Sequence, residues 1–321
     1  MPSTMAVWLA RIRLPAIVLI IILLLVEARL RLLPVPWLVV WLTAMVLILA
    51  LLRAGSLRRA PCELRMPVTG RWQVYNSPAS RVPSHGVQSY GQTYAIDLVA
   101  DPPDGERPRF GWWPTARRPQ DFPGFGVLVT APCDGQVARA HDGERDHWSR
   151  TSPLGLVYMF TAELLRDLFG PNKVLGNHVV IETADRDCVV LAHLRRGSVR
   201  VRTGEHVTTG VAVAQCGNSG NSSEPHLHLH VMDHPQPLVA AGVPFQFVDA
   251  GGAATPVPAN GSVLTGPSRT DRDAPRPAAD TRERQRRPSP SERRQVADVT
   301  RRADGRSESN AGSRTSYRSQ S

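Results

Sequence analysis

The sequence predicts a mainly β fold, an antiparallel β-sandwich or barrel-like sheet, between an N-terminal apolar helical segment and a disordered C-terminal tail. Three observations predict it. Residues 71–250 contain short alternating apolar and polar runs separated by glycine-rich turns, which is typical of antiparallel strands. Residues 1–53 are strongly apolar. After Leu264 the sequence has almost no large apolar residue, and such a segment cannot bury a core.

Two apolar runs make up residues 1–53. Leu14–Val26 and Pro36–Leu52 contain no charged residue, and about 20 apolar residues span a bilayer. The first run reaches that length only if it includes Met5–Ala10. The runs predict a transmembrane helical hairpin, with a signal-like first segment followed by one span as the alternative. Arginines flank both runs, so the charge pattern does not fix the orientation.

The middle block, residues 71–250, is predicted to form one domain, joined to the helices by a basic linker over residues 54–70. The apolar spacing of Leu154–Phe169 predicts a helix, which is either a lid over a cleft or packed on the sheet. The predicted strands cover residues 72–75, 92–99, 126–130, 136–140, 177–182, 188–194, 197–204, 211–216 and 226–230.

The four cysteines contain no C-x-x-C pair, so a thiolate zinc site is not expected. One disulfide in an oxidising compartment and buried free thiols remain equally open. The sequence has no G-x-G-x-x-G motif and no P-loop, so nothing indicates a nucleotide. The cysteines are Cys62, Cys133, Cys188 and Cys216.

The formal net charge is +10, and much of it lies in the predicted tail, residues 251–321. Arg269–Ser321 holds 14 arginines against 8 acidic residues. Such a tail attracts anionic polymers without reading a sequence. Tyr317 is its only aromatic residue, so specific nucleic-acid recognition is not expected.

Ligand-type side chains concentrate in two predicted strands. His226, His228 and His230 alternate with leucines after a Gly/Ser/Pro turn. Period-2 alternation puts the three imidazoles on one face of a strand, and neutral imidazole is a common zinc ligand. Asp97 lies within an apolar strand, where a carboxylate is costly to bury unless it is paired or binds a metal.

His85 and His193 are further candidates. A catalytic zinc site commonly has three protein ligands plus water, and histidine is the usual general base. One carboxylate with several histidines fits that inventory, although the spacing leaves the role of each histidine open. His147 is expected to be an exposed loop residue.

A series of motifs resembles the lysostaphin/LytM-type zinc metallopeptidases, which are peptidoglycan endopeptidases. The resemblance covers about residues 71–235 and implies Zn²⁺ as cofactor and a peptidoglycan peptide as substrate. The motifs, in order, are Asp97, Ala131–Val137, Gly176–Ile181, Ala192–Leu194, Val207–Gly210, Gly217–Gly220 and His226–His228.

Carried over residue by residue, the resemblance implies a site role for each matching position. His85 precedes Asp97 by twelve residues, a longer spacing than most of the family has, so the intervening segment must loop back. The implied metal ligands are His85, Asp97 and His228, the implied catalytic residues are His193 and His226, and the residues expected to support the ligands or line the site are His230 and His178.

These observations together predict a membrane-anchored zinc metalloendopeptidase with its β domain outside the cytoplasm and of undetermined oligomeric state. The alternative is an inactive LytM-type domain that regulates or scaffolds cell-wall hydrolases, and the long spacing between His85 and Asp97 keeps it open. Asp97 and the paired histidines disfavour a phosphotransfer or carrier module of similar β fold.

Overall fold

The structure is a computed structural model of the 321-residue chain, and it describes residues 3–53, 55–103, 107–249 and 251–267. The side chains of residue 3 and residues 163–165 are not described. The chain divides into two units, and all described residues belong to the first, Met1–Asp273. The predicted disorder of the tail beyond residue 267 lies outside the described residues.

Two apolar helices begin the chain and contact each other. Helix α1 spans Ser3–Leu30 and helix α2 spans Trp37–Leu52. By length and composition α1 is able to cross a membrane, while α2 is a shorter apolar helix. Most of their large apolar side chains are exposed. A pair of helices is therefore present as predicted.

The first turns of α1 pack against the domain. Ala6 and Ala10 are fully buried in the domain core. Nη2 of Arg11 lies 3.1 Å from Oδ2 of Asp233. The segment Met5–Ala10 therefore contacts protein, whereas the sequence had offered it as an extension of the first apolar run.

Gln88 contacts both helices. Its backbone N donates to the carbonyl O of Leu52 at the end of α2, over 3.1 Å. Its carbonyl O accepts from Nη1 of Arg13 in α1, over 3.0 Å. Gln88 belongs to the same loop as His85, so this loop lies between the helices and the sheet.

The domain is built from short strands, which form three sheets in the described part of the chain. The largest sheet has the order β14-β2-β3-β10-β7-β6-β5-β8, with β11 paired to β10. The others are β1-β12-β13 and β4-β9. The strands are β1 Cys62–Leu64, β2 Gly70–Tyr75, β3 Ile96–Ala100, β4 Leu128–Thr130, β5 Gly135–His141, β6 Asn177–Glu182, β7 Cys188–Leu194, β8 His206–Val207, β9 Ala212–Gln215, β10 Leu227–Met232, β11 Gly242–Val243, β12 Phe245–Val248, β13 Ala254–Pro256 and β14 Val263–Gly266.

The mainly β, antiparallel prediction is confirmed, with two qualifications. The pairs are antiparallel except for β1 with β12, and the sheets described here do not close into a barrel. Strands β6 and β7 have the predicted bounds. The predicted helix is α3, Pro153–Leu168, and a short helix α4, Pro171–Leu175, follows it.

Two predicted strands differ from the structure by more than two residues at one end or are absent. The strand over 92–99 begins only at Ile96, because Ser89–Tyr94 forms a 3₁₀ helix. Residues 197–204 form no strand, because their backbone is held by a side chain. The backbone N of Gly197 and of Val199 donates to the carboxylate of Asp142, over 2.7 and 3.2 Å. A carboxylate thus takes two of the backbone donors, while the backbone N of Arg200 donates to the carbonyl O of Val213 in β9.

The folded segment also differs from the predicted domain bounds of 71 and 250. Strand β1 lies within the predicted linker and pairs with β12. Strands β13 and β14 follow residue 250, and β14 pairs with β2 at the edge of the large sheet.

The large sheet has two different faces at its centre. On one face Leu98, Leu191 and Leu229 belong to the main core and are fully buried. Asp97 of β3 and His228 of β10 alternate with these residues and therefore lie on the opposite face. Because adjacent residues of a strand face opposite ways, the same short strands supply both the core and a polar site.

All four cysteines are free thiols in the structure. Burial raises the pKa of the Cys133 and Cys188 thiols to about 12. Thiols with such pKa values carry almost no thiolate at neutral pH and act as small apolar core groups.

Candidate metal centre and active site

The centre of the polar face holds a group of metal-ligand type. Asp97 and His228 are directly opposite on the neighbouring strands β3 and β10. Oδ1 of Asp97 lies 2.8 Å from Nδ1 of His228, and Oδ2 lies 3.1 Å from Nε2 of His85. The ligand atoms of the three residues all lie within 4.8 Å of one another. Two imidazoles and one carboxylate are a donor set that zinc accepts.

The loop between His85 and Asp97 brings His85 to this group. Tyr90 and Gly91 both have positive φ, 60° and 70°, and turn the chain back on itself. A Cβ atom on Gly91 would lie 2.6 Å from Cβ of Met232, so only glycine permits this close approach to β10. Oγ of Ser84 lies 3.0 Å from Nδ1 of His85 and orients the ring. The twelve-residue spacing therefore closes in space.

Two more histidines lie beside the group. They are His193 and His226, and the centroids of their rings lie 4.8 Å apart. Nδ1 of His193 lies 2.9 Å from the carbonyl O of Ser219, and Nδ1 of His226 lies 2.8 Å from that of Glu224. A carbonyl oxygen can only accept, so each Nδ1 carries a hydrogen. In the neutral rings the lone pair is therefore on Nε2.

His193 has an unusual backbone for a residue in a strand. Its φ is 59°, in the left-handed region, which non-glycine residues seldom adopt. Leu191 and Leu194 both reach the main core, so the alternation of β7 is broken between them. The left-handed residue allows His193 to contact His226 and His228 on the opposite face. Strain of this kind is common where function requires it.

A second set of ligand atoms overlaps the first. Those of His193, His226 and His228 also lie within 4.8 Å of one another. Both sets use His228, so distance alone allows an ion in either. The set with Asp97 has a negative charge that three neutral imidazoles lack, which favours a divalent cation there.

The electrostatics of the site follow from burial and from Asp97. Burial would raise the pKa of Asp97, but the positive potential and hydrogen bonds of the surrounding histidines hold it well below its usual range. Burial lowers the pKa of His193, with His226 and His228 adding to the effect. Burial would also lower the pKa of His226, but the charge of Asp97 raises it above the usual value. The two histidines therefore favour opposite protonation states.

His230 and His178 are both fully buried on the polar side of the sheet. Nδ1 of His230 lies 3.1 Å from Nε2 of His228, so His230 supports a candidate ligand directly. His178 does not belong to either ligand set among the described residues. Its Nδ1 lies 2.8 Å from the carbonyl O of Gly176, and its ring lies beside His141.

Several contacts of the site were not found from the sequence. The carbonyl groups of Ser219 and Glu224 carry no residue-type signal. Nδ2 of Asn76 donates to Oδ2 of Asp97 over 2.7 Å, and its position directly after β2 was the available hint. His147, expected to be exposed, has its Nε2 2.8 Å from the carbonyl O of Gly220. It packs behind the loop that precedes His226.

The mainly antiparallel sheet carries this donor set on one face. Residues 167–239 match peptidase family M23, which confirms the resemblance to LytM-type metallopeptidases. The matched range contains His193, His226 and His228. His85 and Asp97 both precede it in the sequence. No curated protein matches the chain at a significant level.

Solved structures give weaker similarities. The catalytic domain of lysostaphin from Staphylococcus simulans is 15% identical at a TM-score of 0.28, and the alignment covers 56% of this chain and 86% of that one. A putative glycyl-glycine endopeptidase LytM from Ruminococcus gnavus is 16% identical at 0.25, covering 46% and 42%. A zinc-containing peptidase from Vibrio cholerae is 21% identical at 0.27, covering 59% and 41%. With TM-scores below 0.5, these likenesses add nothing to the family match.

Proposed function

We propose that this protein is a membrane-anchored zinc metalloendopeptidase that hydrolyses peptide bonds of peptidoglycan outside the cytoplasm. The observation that carries the proposal is the convergence of His85, Asp97 and His228. Three ligand atoms from a loop and two strands lie within 4.8 Å of one another. The buried carboxylate of Asp97 holds its negative charge at neutral pH and suits a cation.

His85, Asp97 and His228 would hold the zinc ion through Nε2, the carboxylate and Nδ1. A bound zinc ion supplies Lewis acidity, which polarises a scissile carbonyl and makes a water molecule more acidic. Asn76 and His230 then hold the ligands in place, because each hydrogen-bonds to one of them. Such outer contacts keep ligands oriented.

His193 and His226 have complementary roles in this proposal. The lowered pKa of His193 keeps its ring neutral, with the Nε2 lone pair ready to accept a proton from the attacking water. The raised pKa of His226 favours a ring that donates a hydrogen bond to the developing negative charge on the substrate oxygen. Both rings are fixed in orientation by hydrogen bonds to backbone carbonyls of one loop.

The helices α1 and α2 would insert in the membrane as a hairpin. Packing of the first turns of α1 on the domain leaves Leu14–Leu30 free of it, a length of about 25 Å at 1.5 Å per residue. This is close to the hydrocarbon thickness of a bilayer, about 30 Å. Exposed leucine, isoleucine and valine side chains over this length support a lipid environment.

The test uses the full-length chain purified in detergent. Zinc content is measured by elemental analysis, and hydrolysis by the release of free amines from purified peptidoglycan. We expect about one zinc per chain, which is lost in Asp97→Asn and His85→Ala and kept in His206→Ala, a change of an exposed histidine. Release of free amines should follow the zinc content.

Two outcomes would contradict the proposal in different ways. A chain that binds zinc but releases no amine from peptidoglycan would favour the regulator or scaffold alternative. A chain that keeps its zinc in Asp97→Asn would exclude the set containing Asp97 and favour the set of three histidines.

A further inference from the structure

A cavity of about 450 Å³ is lined by two residues, His147 and Arg150, that hydrogen-bond to the loop 217–225. Its lining also includes Gly155. Exposed side chains of Trp148 and Tyr158 form part of its wall. The cavity thus combines a buried cation with apolar and aromatic surface.

Arg150 is an unusual residue for such a place. It is only 5% exposed, and buried arginines are normally paired with a carboxylate. No carboxylate among the described side chains forms an ion pair with Arg150, and its buried Nη1 has no hydrogen-bond partner among them. The ring of Tyr158 lies 4.9 Å from the guanidinium carbon and supplies only part of the missing stabilisation.

The surroundings of Arg150 add positive potential. Burial, together with the nearby charge of Arg166, lowers the pKa of Arg150 to about 10. Burial and the charge of Arg150 lower the pKa of His147 to about 4. The N-terminal turn of α3, which begins at Pro153, adds the positive end of a helix dipole beside Gly155. An anion in the cavity would relieve this imbalance.

The cavity is connected to the candidate catalytic histidines through one loop. The backbone N of Arg150 donates to the carbonyl O of Ser223. Nη1 of Arg166 donates to Oδ1 of Asn221 over 3.4 Å. The same loop provides the carbonyls of Ser219 and Glu224, which orient His193 and His226. Arg150 and the two candidate catalytic histidines therefore hydrogen-bond to the same loop.

We propose that Arg150, assisted by Arg166, binds a carboxylate of the substrate peptide in this cavity. The assignment rests on the proposed function, since it names a group of that substrate. The planar fork of a guanidinium matches a carboxylate, and Trp148 and Tyr158 suit the adjoining peptide. A phosphate group shares the anionic chemistry, so the experiment must separate the two.

The experiment measures binding to the full-length chain in detergent by isothermal titration calorimetry. The probes are a synthetic peptide of the sequence found in peptidoglycan stems, with a free C-terminal carboxylate, and the same peptide as its carboxamide. Mass spectrometry confirms that both stay intact. We expect the carboxylate form to bind about tenfold more tightly, the discrimination that follows when one charge-assisted hydrogen bond is lost.

Variants connect this preference to the cavity. In Arg150→Gln the carboxylate and carboxamide should bind equally, and in Arg166→Gln the preference should fall severalfold. Arg202→Gln removes the same charge at an exposed turn and should keep the full preference. If Arg150→Gln does not fold, Arg150→Lys and Arg166→Gln replace it as tests of the carboxylate preference. Lysine keeps the positive charge but lacks the planar guanidinium fork.

Equal binding of the two peptides to the unchanged chain would overturn the inference, as would absence of binding by both. A preference that persists in Arg150→Gln would do the same. Displacement of the peptide by inorganic phosphate at lower concentration than by acetate would assign the cavity to a phosphate group instead. A carboxylate preference without peptidoglycan hydrolysis would contradict only the proposed function, and hydrolysis without a preference only the carboxylate site.

Discussion

Asp97 and His228 lie opposite each other on antiparallel strands, with Oδ1 of the carboxylate 2.8 Å from Nδ1 of the imidazole. The pair is the fixed part of the site, since both residues are in the sheet. His85 reaches the pair from a loop. His193 reaches it because its own backbone has a left-handed conformation.

Replacing His193 should remove hydrolysis and keep zinc. In His193→Ala we expect the rate of peptidoglycan hydrolysis to fall by about 10²–10⁴-fold, the usual contribution of a general base. Zinc content should stay near that of the unchanged chain, measured by elemental analysis of the same preparation. His206→Ala is the matched control. Full activity in zinc-loaded His193→Ala would show that His193 takes no part in the reaction.

The backbone of His193 gives a second prediction, about stability. Glycine adopts positive φ without penalty, whereas a residue with a Cβ atom loses about 1–2 kcal/mol there. His193→Gly should therefore unfold with a free energy about 1 kcal/mol higher than His193→Ala. Thermal unfolding of the full chain followed by tryptophan fluorescence measures the difference. A less stable glycine variant would show that φ at this position is not left-handed in solution.

His230 should affect zinc affinity without providing a ligand. Its Nδ1 contacts Nε2 of His228, and loss of such an outer contact weakens metal binding by about 10–100-fold. Competition with a chelating dye should show this decrease in His230→Ala. His234→Ala, a change beyond the end of β10 at Met232, should bind zinc normally. A complete loss of zinc in His230→Ala would indicate that His230 is itself a zinc ligand.

His178 should make the fold less stable in acid. Burial lowers its pKa to about 4 from an ordinary value of 6.5, since a proton on Nε2 would have no partner among the described residues. The unfolded chain then binds the extra proton between pH 6.5 and 4. Stability from this residue is thus fully present above pH 6.5 and is lost as the pH falls to 4.

The size of this effect is about 3 kcal/mol, at about 1.4 kcal/mol for each pKa unit between the folded and unfolded values. Thermal unfolding at pH 7.5 and pH 4.5 measures it. His178→Asn, whose amide still donates to Gly176, should lose less stability between these two pH values than the unchanged chain. His206→Asn should lose as much as the unchanged chain. Equal losses in all three proteins would mean that His178 is not buried as a neutral ring.

The sequence predicted the parts of this protein that have a strong local pattern. Strands β6 and β7 matched their predicted bounds because continuous apolar runs end there at turns. The residues of the candidate site could be named because their side chains are few and chemically distinct. Residues 197–204 were misjudged because the carboxylate of Asp142, distant in sequence, satisfies their backbone.

Other features had no local pattern to reveal them. The carbonyl of Ser219 orients His193 through backbone geometry alone, which any residue type would provide. The burial of Arg150 depends on its packing against the loop 217–225, which is distant in sequence. These are long-range consequences of packing, and a single sequence does not express them.

Gln88 joins the end of α2 and the side of α1 to the loop that carries His85, three residues away. The helical pair therefore supports the loop that positions His85, a proposed zinc ligand. A soluble fragment cut after the helices would carry His85 on a loop without two of its supports. Under the proposed function, such a fragment should bind zinc more weakly than the full-length chain.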